Sequence, residues 1–201
     1  LRISGTLSST SGLLKSGPGA LLLAGDNAAS LSGSLQVNGG VLGATSDAAL
    51  GTGTNPVVLN GVPATFRAVG TFTSARPFAF PSASGTNNVV EVSGGNTLSL
   101  TGTVDAPNGF LKDNNGTLEL AGSNTFSGSL RVDAGILRAT NSAALGSGSI
   151  FIRPTGGFTG AALQLAGGIT LANKIFLQGG TNLLMGGVNF SGQMHSLSGV
   201  N

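Results

Sequence analysis

Apolar residues recur two apart in short runs, at Leu118-Glu119-Leu120, Leu130-Arg131-Val132, Leu137-Arg138-Ala139, Ile150-Phe151-Ile152, Leu163-Gln164-Leu165 and Ile175-Phe176-Leu177. A period of two predicts strand, because successive side chains leave an extended backbone on opposite sides. The middle residue is charged at Glu119, Arg131 and Arg138 and is an amide at Gln164, so one side of each strand is expected to be buried and the other wet. Phe151 and Phe176 depart from that rule. The runs are joined by Gly, Asn, Ser, Asp and Thr, which suit turns that need positive φ or side-chain-to-backbone hydrogen bonds. Helical spacing is confined to Ala48-Ala49-Leu50-Gly51 and Ala143-Ala144-Leu145-Gly146, one turn at most, preceded by Asp47 or Ser142.

The pattern occurs twice. GLLKSGPGALLLAGDN (Gly12 to Asn27) matches GFLKDNNGTLELAGSN (Gly109 to Asn124) in the frame G-x-L-K-x-x-x-G-x-L-x-L-A-G-x-N. Gly33 to Gly53 then matches Gly128 to Gly148 in the frame G-S-L-x-V-x-x-G-x-L-x-A-T-x-x-A-A-L-G-x-G. A weaker match pairs Phe72-Thr73 through Phe78-Ala79-Phe80 with Ile169-Thr170 through Ile175-Phe176-Leu177. Residues 1–201 are therefore read as one segment, with repeat copies at about 12–108 and 109–201, the second incomplete.

Short strands with regular turns fit a sandwich, a barrel or a solenoid. The short runs, the repetition and the lack of an aromatic-rich centre favour the solenoid: an all-β stack of short parallel strands with Gly/Asn-rich turns, at roughly 20 to 25 residues per coil and about four coils per copy. Composition agrees. The hydrophobic share of 40% and formal charge of +2 argue against disorder. The nine cations are scattered singly from Arg2 to Lys174 with no stacking platform, so no nucleic-acid partner is expected. No transmembrane segment is expected in this chain, since its longest apolar runs, such as Ala20 to Ala24, are far too short, and Leu1-Arg2-Ile3 does not open a signal peptide.

Candidate chemistry is sparse. With no Cys, one histidine (His195) and seven dispersed carboxylates, no metal site is expected. His195 as a triad base would have too many equivalent Ser and Asp partners to single any out, and no G-x-S-x-G elbow is present. The acids are Asp26, Asp47, Glu91, Asp105, Asp113, Glu119 and Asp133, of which Asp113 and Glu119 are the pair a polysaccharide-cleaving solenoid would recruit. They read instead as solvated turn and face residues. Paired glycines such as Gly39-Gly40 and Gly167-Gly168 read as corners, not phosphate loops. The expectation is no catalytic residue, no cofactor and no enzyme. Phe66, Phe72, Phe78 and Phe80 with Pro63, Pro77 and Pro81 crowd the least regular segment. They fit either an irregular coil with Phe packed inside or a protruding loop that contacts another chain.

The stretch GTLELAGSNTFSGSLRVDAGILRATNSAALGSG, Gly116 to Gly148, resembles the autotransporter-associated β-strand repeat, also called the passenger-associated transport repeat, and Leu165 to Ile175 resembles the segment that commonly follows it. The first copy departs at Asp26 to Gly33, with two inserted residues and no Thr-Phe. The resemblance implies a right-handed parallel β-helix at the outer surface of, or released from, a Gram-negative-type bacterium. It carries no catalytic residues to transfer. The function implied is an autotransporter-passenger-like adhesin, stalk or spacer, with a self-assembling extracellular filament, sheath or matrix fibre and a polysaccharide-acting β-helix enzyme as alternatives. Expected partners are the chain itself or neighbouring repeats, through end-to-end strand stacking, and a host surface or polysaccharide. The strand-like Leu1-Arg2-Ile3 and loop-like Leu197 to Asn201 lack polar caps, which suggests a piece of a longer array or a subunit covered by its neighbours.

Overall fold

The computed structural model describes residues 1–61, 63–81, 88–154 and 160–178, and the backbone of 193–196. The first strands are β1 (Arg2–Ile3), β2 (Leu13–Lys15), β3 (Ala20–Leu23), β4 (Leu35–Val37), β5 (Gly40–Ala44), β6 (Val57–Leu59) and β7 (Ala64–Ala68). Then follow β8 (Phe72–Ser74), β9 (Phe78–Ala79), β10 (Asn88–Val92), β11 (Thr97–Leu100), β12 (Val104–Asp105), β13 (Phe110–Asp113) and β14 (Thr117–Leu120). The last are β15 (Leu130–Val132), β16 (Gly135–Ala139), β17 (Ile150–Ile152), β18 (Ala161–Leu165), β19 (Ile175–Leu177) and β20 (Gln193–Ser196). A single 3-10 turn at Ala48–Leu50 takes up the Ala-Ala-Leu-Gly run, with Asp47 at its start.

These strands form three parallel sheets, the three faces of a β-solenoid. Face 1 runs β1-β3-β5-β7-β10-β13-β15-β17-β19, face 2 runs β8-β11-β14-β16-β18-β20, and face 3 runs β2-β4-β6-β9-β12. Strands of face 1 begin at residues 2, 20, 40, 64, 88, 110, 130, 150 and 175, so a coil takes roughly the 20 to 25 residues expected. All six triplets read from the sequence lie in strands. The turn-to-turn ladder is in register, for example Leu42↔Phe66↔Val90↔Lys112↔Val132↔Ile152 along the interior of face 1. Aliphatic residues at alternate positions fill a narrow core with Leu35, Leu98, Leu118 and Leu137 at 0% exposure. Each such burial contributes on the order of 1.5–3 kcal/mol relative to an exposed side chain.

The shared frame residues have one structural job in each copy. Lys15 Nζ donates to the carbonyls of Ser16 (2.9 Å), Gly17 (2.7 Å) and Gly39 (2.9 Å); Lys112 Nζ donates to those of Asp113 (3.1 Å), Asn114 (2.5 Å) and Ala134 (2.8 Å). Each lysine thus ties a corner to the next coil. Asn27 accepts from Leu7 N–H (2.6 Å) and donates to Ala49 O (2.7 Å); Asn124 accepts from Val104 N–H (2.7 Å) and donates to Ala144 O (2.6 Å). These buried amides complete ladder bonds where no strand continues. At Gly12 and Gly109 φ is +88° and +85°, and a Cβ would strike the carbonyl oxygens of Ser34 and Ser129 one coil away. Only glycine turns that corner without moving the neighbouring backbone.

One expectation needs correction. A copy is not four coils. From β2 on face 3, four coils lead to β12, again on face 3, and one further face leads to β13 on face 1, where the second copy starts. β2, β4 and β6 thus lie on face 3 while their sequence equivalents β13, β15 and β17 lie on face 1. Likewise β3, β5 and β7 lie on face 1 and β14, β16 and β18 on face 2. Each copy advances the stack by four coils and one face.

Candidate functional surface

Every carboxylate has a local partner. Asp26 accepts from Ala28 N–H, Asp105 from Thr125 Oγ1, and Glu91 pairs with Arg67. Asp133 pairs with Arg131 at 2.7 Å. Asp113, at the end of face 1, accepts from Asn114 N–H (2.7 Å), while Glu119 on face 2 accepts from Ser99 Oγ (2.7 Å) and Arg138 Nη1 (3.3 Å). The two acids that an enzymatic reading would recruit therefore stand on different faces, each engaged in its own bonds. Among the described residues no three of His, Cys, Asp and Glu converge as metal ligands.

The most elaborate polar cluster is one that sequence reasoning passed over. Arg76 is fully buried, with 0% exposure, and meets Asp47 through Nε–Oδ1 (2.8 Å) and Nη2–Oδ2 (3.0 Å). Its remaining donors reach the carbonyls of Asp47, Leu50, Gly51, Thr52 and Asn55. The guanidinium holds the loop around the 3-10 turn by supplying donors to carbonyls that no strand satisfies. In the second copy the aligned residue is Asn173, which donates to the carbonyls of Leu145, Gly146 and Gly148, and the position of Asp47 is taken by Ser142. An Arg–Asp pair in one copy thus does the work of an Asn and a Ser in the other. The weaker match, which aligns Arg76 with Asn173, was the signal for it. The cluster is structural, because its donors are all spent on loop carbonyls and Asp47.

The wet sides of the strands carry rows of side chains that run along the stack. On face 2, Ser99, Glu119, Arg138 and Gln164 lie in register, linked by the Ser99–Glu119 and Glu119–Arg138 bonds and by Arg138 Nε to Gln164 Oε1 (3.1 Å). On face 1, Leu111, Arg131, Phe151 and Phe176 form the equivalent outward row. The two phenylalanines that broke the alternation stack on each other, centroids 4.5 Å apart and planes 2° from parallel, with Lys174 Nζ 5.0 Å from the Phe176 centroid. Their faces are turned to each other, which is how two large apolar groups tolerate the outer side of a sheet. Burial pushes the Lys112 ammonium down to about 8, with the nearby Asp113 and Glu91 charges opposing the shift.

The Phe/Pro segment resolves in favour of the interior. Phe66, Phe78 and Phe80 are buried, Phe66 meeting Phe78 edge-on (5.2 Å) and Phe80 stacking on Phe110 (4.9 Å). Pro63, Pro77 and Pro81 flank the ends of β7 and β9, where no ladder donor is needed. Residues 82–87 lie outside the described residues, as does the side chain of His195, whose backbone pairs with Gln164 on β18. No helix among the described residues is long and apolar enough to cross a membrane.

Comparison with known proteins agrees with this geometry. The passenger-associated transport repeat family matches residues 13–44 and 110–139, the stretches that form β2 to β5 and β13 to β16. The chain is also similar to the adhesin BmaC autotransporter of Brucella suis biovar 1 (strain 1330), 31% identical over 139 residues, which is 69% of this chain. The chain spans 4% of that protein's length. No solved structure matches it significantly.

Proposed function

Since the chain carries two passenger-associated transport repeats and so belongs to the family they define, we propose that it is part of an autotransporter passenger and works there as the shaft of a surface adhesin. Its place is then outside the cell, on or released from a Gram-negative-type bacterium, and its work is mechanical and not enzymatic. The observation that supports this is where the polar chemistry goes. Lys15, Lys112, Asn27, Asn124 and Arg76 are all spent on backbone groups of neighbouring coils. A stack whose buried polar groups bind coil to coil resists axial pulling through many parallel hydrogen bonds. The adhesive name of the Brucella relative supports the same setting, at the level of a passenger and not of a ligand.

The test is binding of the purified, fluorescently labelled chain to cultured mammalian cells. A shaft shows only weak, non-saturable association, at the level of a size-matched inert control. Saturable binding competed by unlabelled chain would mean that this stretch is itself the adhesive element.

A further inference from the structure

The one-face offset between copies has a consequence for recognition. The outward row written into the repeat is Leu14, Gln36, Val58 and Ala79 in the first copy, and Leu111, Arg131, Phe151 and Phe176 in the second. The first row lies on face 3 and the second on face 1. The residues that keep the frame, Lys15 and Lys112, Asn27 and Asn124, sit at the same points of their copies, so the offset belongs to the repeat and not to a local insertion.

We infer that the repeat is a rotational index: each copy turns its own outward surface one face round the solenoid axis, so that a flat partner meets the surface of one copy at a time. At about 4.8 Å per coil, four coils and one face also move that surface about 20 Å along the axis. The two copies are thus presented on different sides of the shaft, and a further copy with the same offset would occupy the remaining face. The partner this display fits is an extended, effectively planar one, such as a cell surface, that approaches the shaft from any side. The two copies cannot bind such a partner together, so their effective concentration for each other is near zero. This display follows from the sheet order alone and does not depend on the shaft reading above.

The chain has no cysteine, so outward positions can be labelled one at a time. Gln36→Cys with Asp105→Cys places two desthiobiotin groups on face 3, and Gln36→Cys with Arg131→Cys places them at equivalent points of the two copies. Dissociation is measured from a planar streptavidin sensor, with short linkers and the single-label variants as references. The face 3 pair is expected to leave tenfold or more slowly than either single label, the ordinary gain from simultaneous engagement. The Gln36/Arg131 pair is expected to leave at the rate of the single labels. An equal gain for both pairs would overturn the inference. Gln36→Cys with Phe151→Cys repeats the measurement one coil along the same row without disturbing the Arg131–Asp133 ion pair.

Discussion

At the scale of single residues, side chains with identical surroundings in both copies carry the largest expected penalties. Lys112→Met leaves the carbonyls of Asp113, Asn114 and Ala134 without their donor, and is expected to cost about 1–3 kcal/mol at neutral pH. The gap depends on pH. Because the folded-state value near 8 lies below the ordinary 10.5, the unfolded chain holds more protons between those values, and stability rises with pH through that window. Thermal melts of wild type and Lys112→Met from pH 7 to 10.5 should therefore diverge, with the wild type gaining; parallel curves would show that Lys112 does not titrate there. Glycine gives a second contrast. Gly109→Ala combines a positive φ, costing about 1–2 kcal/mol, with a collision against Ser129, and should cost about 3 kcal/mol or more in urea unfolding. Gly53→Ala, which meets open space, should change stability by less than about 0.5 kcal/mol. The shared frame marked Gly109, Lys112 and Asn124 as special. It could not say why, because each partner is a main-chain atom about one coil away in sequence, where no side-chain pattern records it.

At the scale of elements, strands were legible and their faces were not. Alternation separates the inward Leu130 and Val132 from the outward Arg131, and the structure follows it. A period of two distinguishes in from out but carries no information on which of three sides a strand joins, so the displacement of β15 from the face of its equivalent β4 was invisible. The loop around the 3-10 turn was legible only as a short Ala-rich turn, since its clamp, Arg76, lies 26 residues beyond Leu50. That clamp gives a coupled prediction. Asp47→Ser alone leaves a fully buried guanidinium without its counter-charge, and should cost about 2–3 kcal/mol, reduced from the cost of breaking a fully buried pair by the partial exposure of Asp47. Asp47→Ser with Arg76→Asn installs the pair that the second copy uses, Ser142 with Asn173, and should recover to within about 1 kcal/mol of wild type. Urea unfolding of the two singles and the double measures the coupling; additive losses would mean that the two copies do not share this solution.

At the scale of the whole molecule, the stack is one-dimensional. Each strand pairs only with those of the coils before and after it, so stability is a sum of coil terms and nearest-neighbour interfaces, without a centre that every part touches. Damage should then remain local. Leu35→Ala removes a fully buried side chain from face 3, where β4 is paired with β2 and β6, at a cost of about 2–5 kcal/mol. In a compact domain that loss would lower protection against hydrogen exchange nearly everywhere, because a single cooperative opening exposes all amides. In this stack the amides of β2 to β7 should exchange faster while those of β15 to β18, several coils along, keep their wild-type rates. Hydrogen exchange read by mass spectrometry on wild type and Leu35→Ala distinguishes the two. Uniform acceleration along the chain would show that the coils unfold as one body, and a shaft of that kind would fail under load all at once and not coil by coil.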